Sequence, residues 1–325
     1  KSKIFSNSLV LFAIAYLVFA FNSSFVIFIF VAISLTALYT IRITSMGIMI
    51  RDKSKKENLS RNEGLVYTFL NIAWLIGPLI GAFILAKFGN DSGIKIIFII
   101  SALITILSFF IFKIFNINDN NLKKRVDTGT IKNFKDFFKN ENRLIAYFMG
   151  GGVNLWWVLV YLFIPLYMIK SGLPVQYIGI FLFAVAVPLI FSEYYFAKLA
   201  GKIGFRKMFL TGFFFLAIIS LICFFISSIY FILAILVIAS FFVAMIEPTS
   251  EAYFFDVLKN NNEELKFYGP YNTTIDTNQF IGKSLSALLL LFLPFKYIFI
   301  LFSFFMIVLC LISLKTKRIV ESRRR

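Results

Sequence analysis

Histidine is missing altogether from these 325 residues, and only 2 are cysteine. Without histidine there is no Ser/His or Cys/His nucleophilic pair, and the commonest metal ligand is gone. Cys223 and Cys310 fall inside apolar stretches and imply neither a disulfide framework nor a metal site. Charge is scarce as well: Asp, Glu, Lys and Arg make up 15% of the chain against 60% hydrophobic residues. That balance, with a mean hydropathy of +0.86, excludes an ordinary soluble domain. Acidic residues number 16 against 33 basic ones. No DxD or DxxD pair occurs, which removes the acidic metal motif of a membrane enzyme acting on lipid headgroups.

What the chain has in quantity is long uncharged runs of about 20 residues, the length that crosses ~30 Å of hydrocarbon as a helix. The alternation of a barrel strand is absent, so the fold class is an all-α polytopic membrane protein. Crossings are expected at 5–21, 25–50, 64–87, 94–114, 144–169, 176–199, 207–227, 230–256, 268–293 and 297–314. The 44 phenylalanines read mainly as lipid-facing bulk. With ten crossings, the loops on one side hold only Lys87, Lys95, Lys170 and Lys296, while Arg42 and Lys283 lie within helices. All the other basic residues fall on the opposite side, which the positive-inside rule makes cytoplasmic, together with both termini. The net charge of +17 is therefore a topology signal with anionic lipid as neighbour, and nucleic acid is not an expected partner. The expected location is the cell membrane.

A shift of 205 residues lays "IRITS" (41–45) on "IEPTS" (246–250), Gly64 on Gly269, Gly77 on Gly282 and Asn71 on Asp276. The chain thus reads as two pseudo-repeated halves. The shift sends helices 144–169 and 176–199 to positions before Lys1, so two further helices, roughly 60 residues, are expected to precede this sequence. The domains expected are 1–115 (four helices), a basic cytoplasmic linker at 116–143, and 144–325 (six helices). In the linker, Ile131, Phe134 and Phe138 share one helical face with Lys132, Lys135 and Lys139 elsewhere. That pattern suits a helix lying on the membrane surface, and equally a solvated connection.

"AKLAGKIGFRK" (197–207) carries Leu199, Gly204 and Arg206 in the order of the loop motif G-x-L-a-D-R-x-G-R-K, with Gly201 where the aspartate stands. "GPLIGA" (77–82) is similar to G-P-x-x-G-G, through Gly77, Pro78 and Gly81, where small residues and proline allow close packing and a bend. Arg42 matches the arginine of R-x-x-x-G, with Gly47 one residue late, and "FIPLYMIKSG" and "IGIFLF" look like the seventh and eighth helices of drug/proton antiporters. By these features the chain resembles the major facilitator superfamily, closest to its drug/proton antiporter-like members. The resemblance implies the major facilitator fold, with ten of twelve helices present, and a monomeric transporter with no enzyme activity and no cofactor or metal.

The resemblance also puts Arg42 and Glu247 on the fourth and tenth family helices, which line the central cavity. Two readings stand: they pair or share a proton relay that closes the inner gate, or each has a partner in its own half. Glu251, four residues after Glu247, shares its helix face, and their repulsion favours a bound proton on one of them; Glu251 also stands near the cytoplasmic interface. Asp276 and Lys283, seven residues apart, either line the cavity or hold helices together. Glu193 is expected to contact the basic loop that follows it. Asn154, Trp156, Trp157, Tyr161 and Asn71 are the substrate-cavity candidates, although consecutive tryptophans face two directions and also suit packing or an interfacial belt. The function expected is secondary transport by alternating access, proton-coupled and exporting a small amphipathic molecule. The alternatives are a sugar or metabolite symporter or facilitator, a membrane-embedded enzyme, and a transport-inactive relative.

Overall fold

The structure, a computed structural model, describes residues 2–53, 59–115, 129–258 and 261–316. Its helices in chain order are α1 (Ser2–Phe21), α2 (Phe25–Lys53), α3 (Leu59–Phe88), α4 (Asn90–Ile114), α5 (Thr130–Phe138) and α6 (Glu141–Val158), then α7 (Ile164–Lys170), α8 (Gln176–Ile203), α9 (Phe205–Phe225), α10 (Ile229–Val257), α11 (Asn261–Leu290) and α12 (Tyr297–Ser313). A π-helical turn, Leu159–Phe163, joins α6 to α7 in one continuous rod. Every expected crossing coincides with a helix. Six of these rods are long and apolar enough to span a bilayer, and Phe25–Tyr39, Ile72–Phe88 and Tyr297–Ser313 are shorter apolar stretches. The exception is α11, which the run of Asn272, Thr273, Thr274, Asp276, Thr277, Asn278 and Gln279 makes too polar for either description.

Two compact units divide the chain, Lys1–Arg125 and Val126–Arg325. In the first, α1 packs on α4 and α2, and α3 on α4. Small residues permit the approach: Ser6, Ser8, Ala13, Ala15 and Ala20 of α1 and Ala102 and Thr105 of α4 are buried. Phe5 meets Phe112 at 4.9 Å and Phe19 meets Phe98 at 5.2 Å across the same seam. Phe21, Phe25 and Phe30 are each more than 70% exposed, as lipid-facing residues are.

Pro78 lies within α3 and takes a backbone donor out of that helix. Among the described residues its neighbouring glycines have few close neighbours. A β-carbon at Gly77 would meet nothing within 4 Å, and one at Gly81 only Ile97 Cδ1 at 3.9 Å. The side chain of Asn71 lies outside the described residues.

The second unit is built on α6. Its "GGG" at 150–152 lets three neighbours close in: a β-carbon at Gly150 would lie 2.8 Å from the Tyr271 hydroxyl, and one at Gly151 would strike the Asn278 amide. At Gly152 it would come within 2.6 Å of both Phe213 and Leu309. Thr274 Oγ1 then reaches the Tyr147 carbonyl at 2.7 Å, tying α11 to α6. Ser220 Oγ donates to the Phe299 carbonyl at 2.8 Å and Ser303 Oγ to that of Ala217 at 2.9 Å, which ties α9 to α12. Between α8 and α9, Gly204 takes φ +89°, the left-handed conformation that glycine adopts without a Cβ clash.

The expected linker helix is present as α5, but it does not run independently of the bundle. Phe137, outside the face formed by Ile131, Phe134 and Phe138, is fully buried against Tyr147, Phe254 and Phe267. Lys266 Nζ donates to Asp136 Oδ2 at 2.7 Å, and Arg143 Nη2 to the Asp136 carbonyl at 2.6 Å. Arg143 also sits 4.0 Å over the Phe267 ring. The Lys266 hydrogen bond holds the Asp136 carboxyl below its usual range. Its stabilisation is complete above the ordinary carboxylate pKa and is lost as pH falls through the lowered one, so the contact is insensitive to pH near neutrality.

The glycines provide a direct comparison. Gly152→Ala should lower the thermal midpoint of the detergent-solubilised protein by an overpacking cost of about 1–3 kcal/mol, because Phe213 and Leu309 are buried and cannot yield. Gly77→Ala should be neutral or slightly stabilising, since alanine is the better helix former by about 0.5–1 kcal/mol.

Candidate functional site

In α10, Pro248 leaves the Ala244 carbonyl without its usual donor, and Glu247 precedes the proline directly. Two hydroxyls bond back around this point: Thr249 Oγ1 to the Met245 carbonyl at 2.6 Å and Ser250 Oγ to that of Glu247 at 2.9 Å. From α6, Trp157 Nε1 donates to Glu247 Oε1 at 3.3 Å. The indole stacks on Tyr161, four residues later, with ring centroids 5.0 Å apart and 29° between planes. Tyr161 sits within the π-helical turn and is 39% exposed, so this aromatic pair runs from a surface to a half-buried carboxylate. Turns of this kind interrupt α-helices most often at functional sites.

Two more carboxylates act electrostatically on Glu247: Glu193 of α8 and Glu251, one turn along α10. Glu251 Oε1 accepts from the Tyr268 hydroxyl at 3.3 Å. The acidic character of this region of the second unit thus exceeds the expectation for Glu193, whose charge bears on Glu247. Glu193, Glu247 and Glu251 together bring three carboxylates to bear on one region of the second unit. Among the described residues no group of three or more His, Cys, Asp or Glu side chains is arranged to hold a metal ion.

The other candidates separate by environment. Trp156 is 1% exposed and packs in the core, which removes it from the cavity set. Asn154 Nδ2 bonds back to the Gly150 carbonyl at 2.9 Å, inside its own helix. Arg42, in the first unit, stacks its guanidinium over Phe12 at 4.6 Å and over Tyr39 at 5.6 Å. Arg42 and Glu247 therefore each have a partner within their own unit. Asp276 is exposed on α11, and Lys283 Nζ donates to Gln279 Oε1 at 3.1 Å.

Asn272, Asp276, Gln279 and Lys283 recur at 4, 3 and 4 residues, which places them on one helix face. Sequence reasoning singled out only Asp276 and Lys283. The helical spacing of two amides between and before them is the signal that would have found the whole stripe. Arg206, next to the turn at Gly204, is half-buried.

Residues 1–192 and 157–324 match the family model described as Major Facilitator Superfamily. The crystal structure of a bacterial homologue of the iron transporter ferroportin, in its inward-facing state, is similar in fold, with a TM-score of 0.67 at 13% identity. The similarity covers 97% of this chain and 81% of that one. Among curated proteins none matches the chain.

The indole–carboxylate contact can be tested by a double-mutant cycle on thermal stability. Trp157→Phe keeps an aromatic side chain and removes the donor, and should cost about 1.5–3 kcal/mol, the range for a hydrogen bond to a charged group. In a Glu247→Gln background the same change should cost clearly less, and equal losses in both would refute the coupling.

Proposed function

We propose, from the premise that the chain belongs to the Major Facilitator Superfamily and is a secondary transporter, that it exports a small amphipathic molecule in exchange for protons. In this reading the two halves alternate access to a site at mid-membrane. Glu247 takes up and releases the proton, and Trp157 and Tyr161 offer aromatic faces to the substrate. The observation that carries the reading is the Trp157–Glu247 hydrogen bond at 3.3 Å, because it joins the proton-binding group to the aromatic pair. A cationic substrate stacked on Trp157 favours the ionised form of Glu247, to which the indole donates, and so lowers its affinity for a proton. Such a link is what coupling requires, since a ligand shifts an equilibrium only through a difference in interaction between two states.

Glu251 and Glu193 set the local field, and Arg42 and Asp276 belong to the same cycle as gate or relay charges. Orientation with both termini in the cytoplasm, at the cell membrane, follows from the basic loops.

A second reading, symport or facilitated passage of a sugar or other metabolite, is favoured by α11. Amide and charged groups that share one face of a membrane helix suit hydrogen bonding to a hydroxylated solute.

Inverted vesicles with a preset pH gradient distinguish the two. Lipophilic cations should dissipate the gradient through the wild-type protein and fail to do so through Glu247→Gln. Arg42→Ala combined with Glu247→Gln should then be strongly non-additive. Equilibration of labelled sugar without proton movement would overturn the exchange reading and leave the facilitator.

A further inference from the structure

We infer that the outward face of α5 is a docking surface for anionic lipid headgroups, with Ile131 and Phe138 immersed among the lipids and Lys132, Lys135 and Lys139 paired with their phosphates. The inward face is already committed. Phe137 is buried in the bundle, Lys266 holds Asp136, and Arg143 holds the Asp136 carbonyl at 2.6 Å and, more weakly, that of Phe137 at 3.4 Å. These contacts fix the rotation of the helix, and so determine what it turns away from the protein. Ile131 is 76% exposed and Phe138 41% exposed. Lys135 lies between them on the same face, while Lys132 and Lys139 stand on the flank toward Asp136, on whose carboxylate their charges act, and all three are exposed. The only acidic residue of α5 is Asp136, on the inward side, and Glu141 is the next, in the first turn of α6 where it complements that helix's N-terminus.

Two facts identify the occupant. Only Lys139 and Asn140 separate α5 from α6, the rod that runs into the membrane from Glu141. Three Cα steps from Phe138 to Glu141 span at most ~10 Å, so the C-terminal end of α5 stays close to the end of that rod. There, exposed apolar side chains among lysines, without acidic residues on the face, complement a surface of phosphates over hydrocarbon. A soluble acidic protein would match the lysines but would leave Ile131 and Phe138 at the membrane boundary. Docking on lipid satisfies both kinds of side chain.

The test uses a nitroxide at position 131, introduced as Ile131→Cys with Cys223 and Cys310 changed to alanine. The protein is reconstituted in vesicles of phosphatidylethanolamine with phosphatidylglycerol, or of phosphatidylcholine alone. Collision with oxygen and with a water-soluble nickel complex reports immersion. The expected result is an oxygen-accessible, nickel-protected label in anionic vesicles and a measurable shift toward nickel access in phosphatidylcholine. Changing Lys132, Lys135 and Lys139 to glutamine should abolish that difference while leaving the thermal midpoint unchanged.

A label that is nickel-accessible in both vesicles overturns the proposal. So does equal immersion in both with the lysines intact, which would mean apolar anchoring without headgroup recognition. Spin–spin broadening in place of a lipid signal would assign the face to a second copy of the chain, and would equally overturn it.

Discussion

A charge or an unpaired polar group inside hydrocarbon costs several kcal/mol, by estimates that run from ~3 to above 10 for an isolated ion at the bilayer centre. The placement of every polar side chain in this molecule is constrained by that cost. Hydroxyls of Ser220, Ser303 and Thr274 spend their donors on carbonyls of neighbouring helices and so hold the bundle together. Arg42 lies over two aromatic faces, and Glu247 accepts from an indole. An ionisable side chain retained in a spanning helix against this cost is a candidate for function, which is why Glu247 and Arg42 carry the proposal.

The two halves retain the pseudo-repeat in position and have diverged in chemistry. A β-carbon at Gly282 would lie 3.0 Å from Leu155 Cδ2, whereas one at its equivalent, Gly77, would meet nothing within 4 Å among the described residues. At the other matched position a cation in one half corresponds to an anion in the other, each with aromatic partners of its own. Divergence of this kind is expected where one half supplies the proton-binding carboxylate and the other a fixed positive charge. Of the polar stripe on α11, the shift of 205 leaves only Asn71, opposite Asp276, as a polar counterpart on α3; Asn272, Gln279 and Lys283 fall on Tyr67, Trp74 and Pro78.

The helices and their limits were legible because a bilayer imposes a length and excludes charge, and both leave a plain trace in the residues. The crossings expected at 144–169, 176–199 and 207–227 overlap α6, α8 and α9, but the helices meet at Gly204, and α6 starts after Asn140, whose side chain caps it by accepting from Arg143 N at 3.1 Å. Partnerships were less legible. Glu247 was identifiable as a buried carboxylate, but nothing in its neighbourhood along the chain indicates Trp157, which is 90 residues away. The tryptophan pair could be divided into one packed and one functional ring only once Trp156 was seen inside the core. Phe137 was missed because the apolar face was centred on Ile131, Phe134 and Phe138, and the residue that anchors the helix lies at the edge of that face, one turn after Phe134. The purpose of the three glycines at 150–152 depends on three different helices and has no local signature.

The central claim is that Glu247 exchanges its proton as substrate arrives. The most direct measurement is proton release on binding, followed with a pH-sensitive dye in weakly buffered detergent solution as a lipophilic cation is titrated in. Linkage predicts release of about one proton per bound cation in the wild type and none in Glu247→Gln, provided that both still bind. Equal release from the two proteins, or binding to the wild type with no release at all, would contradict it.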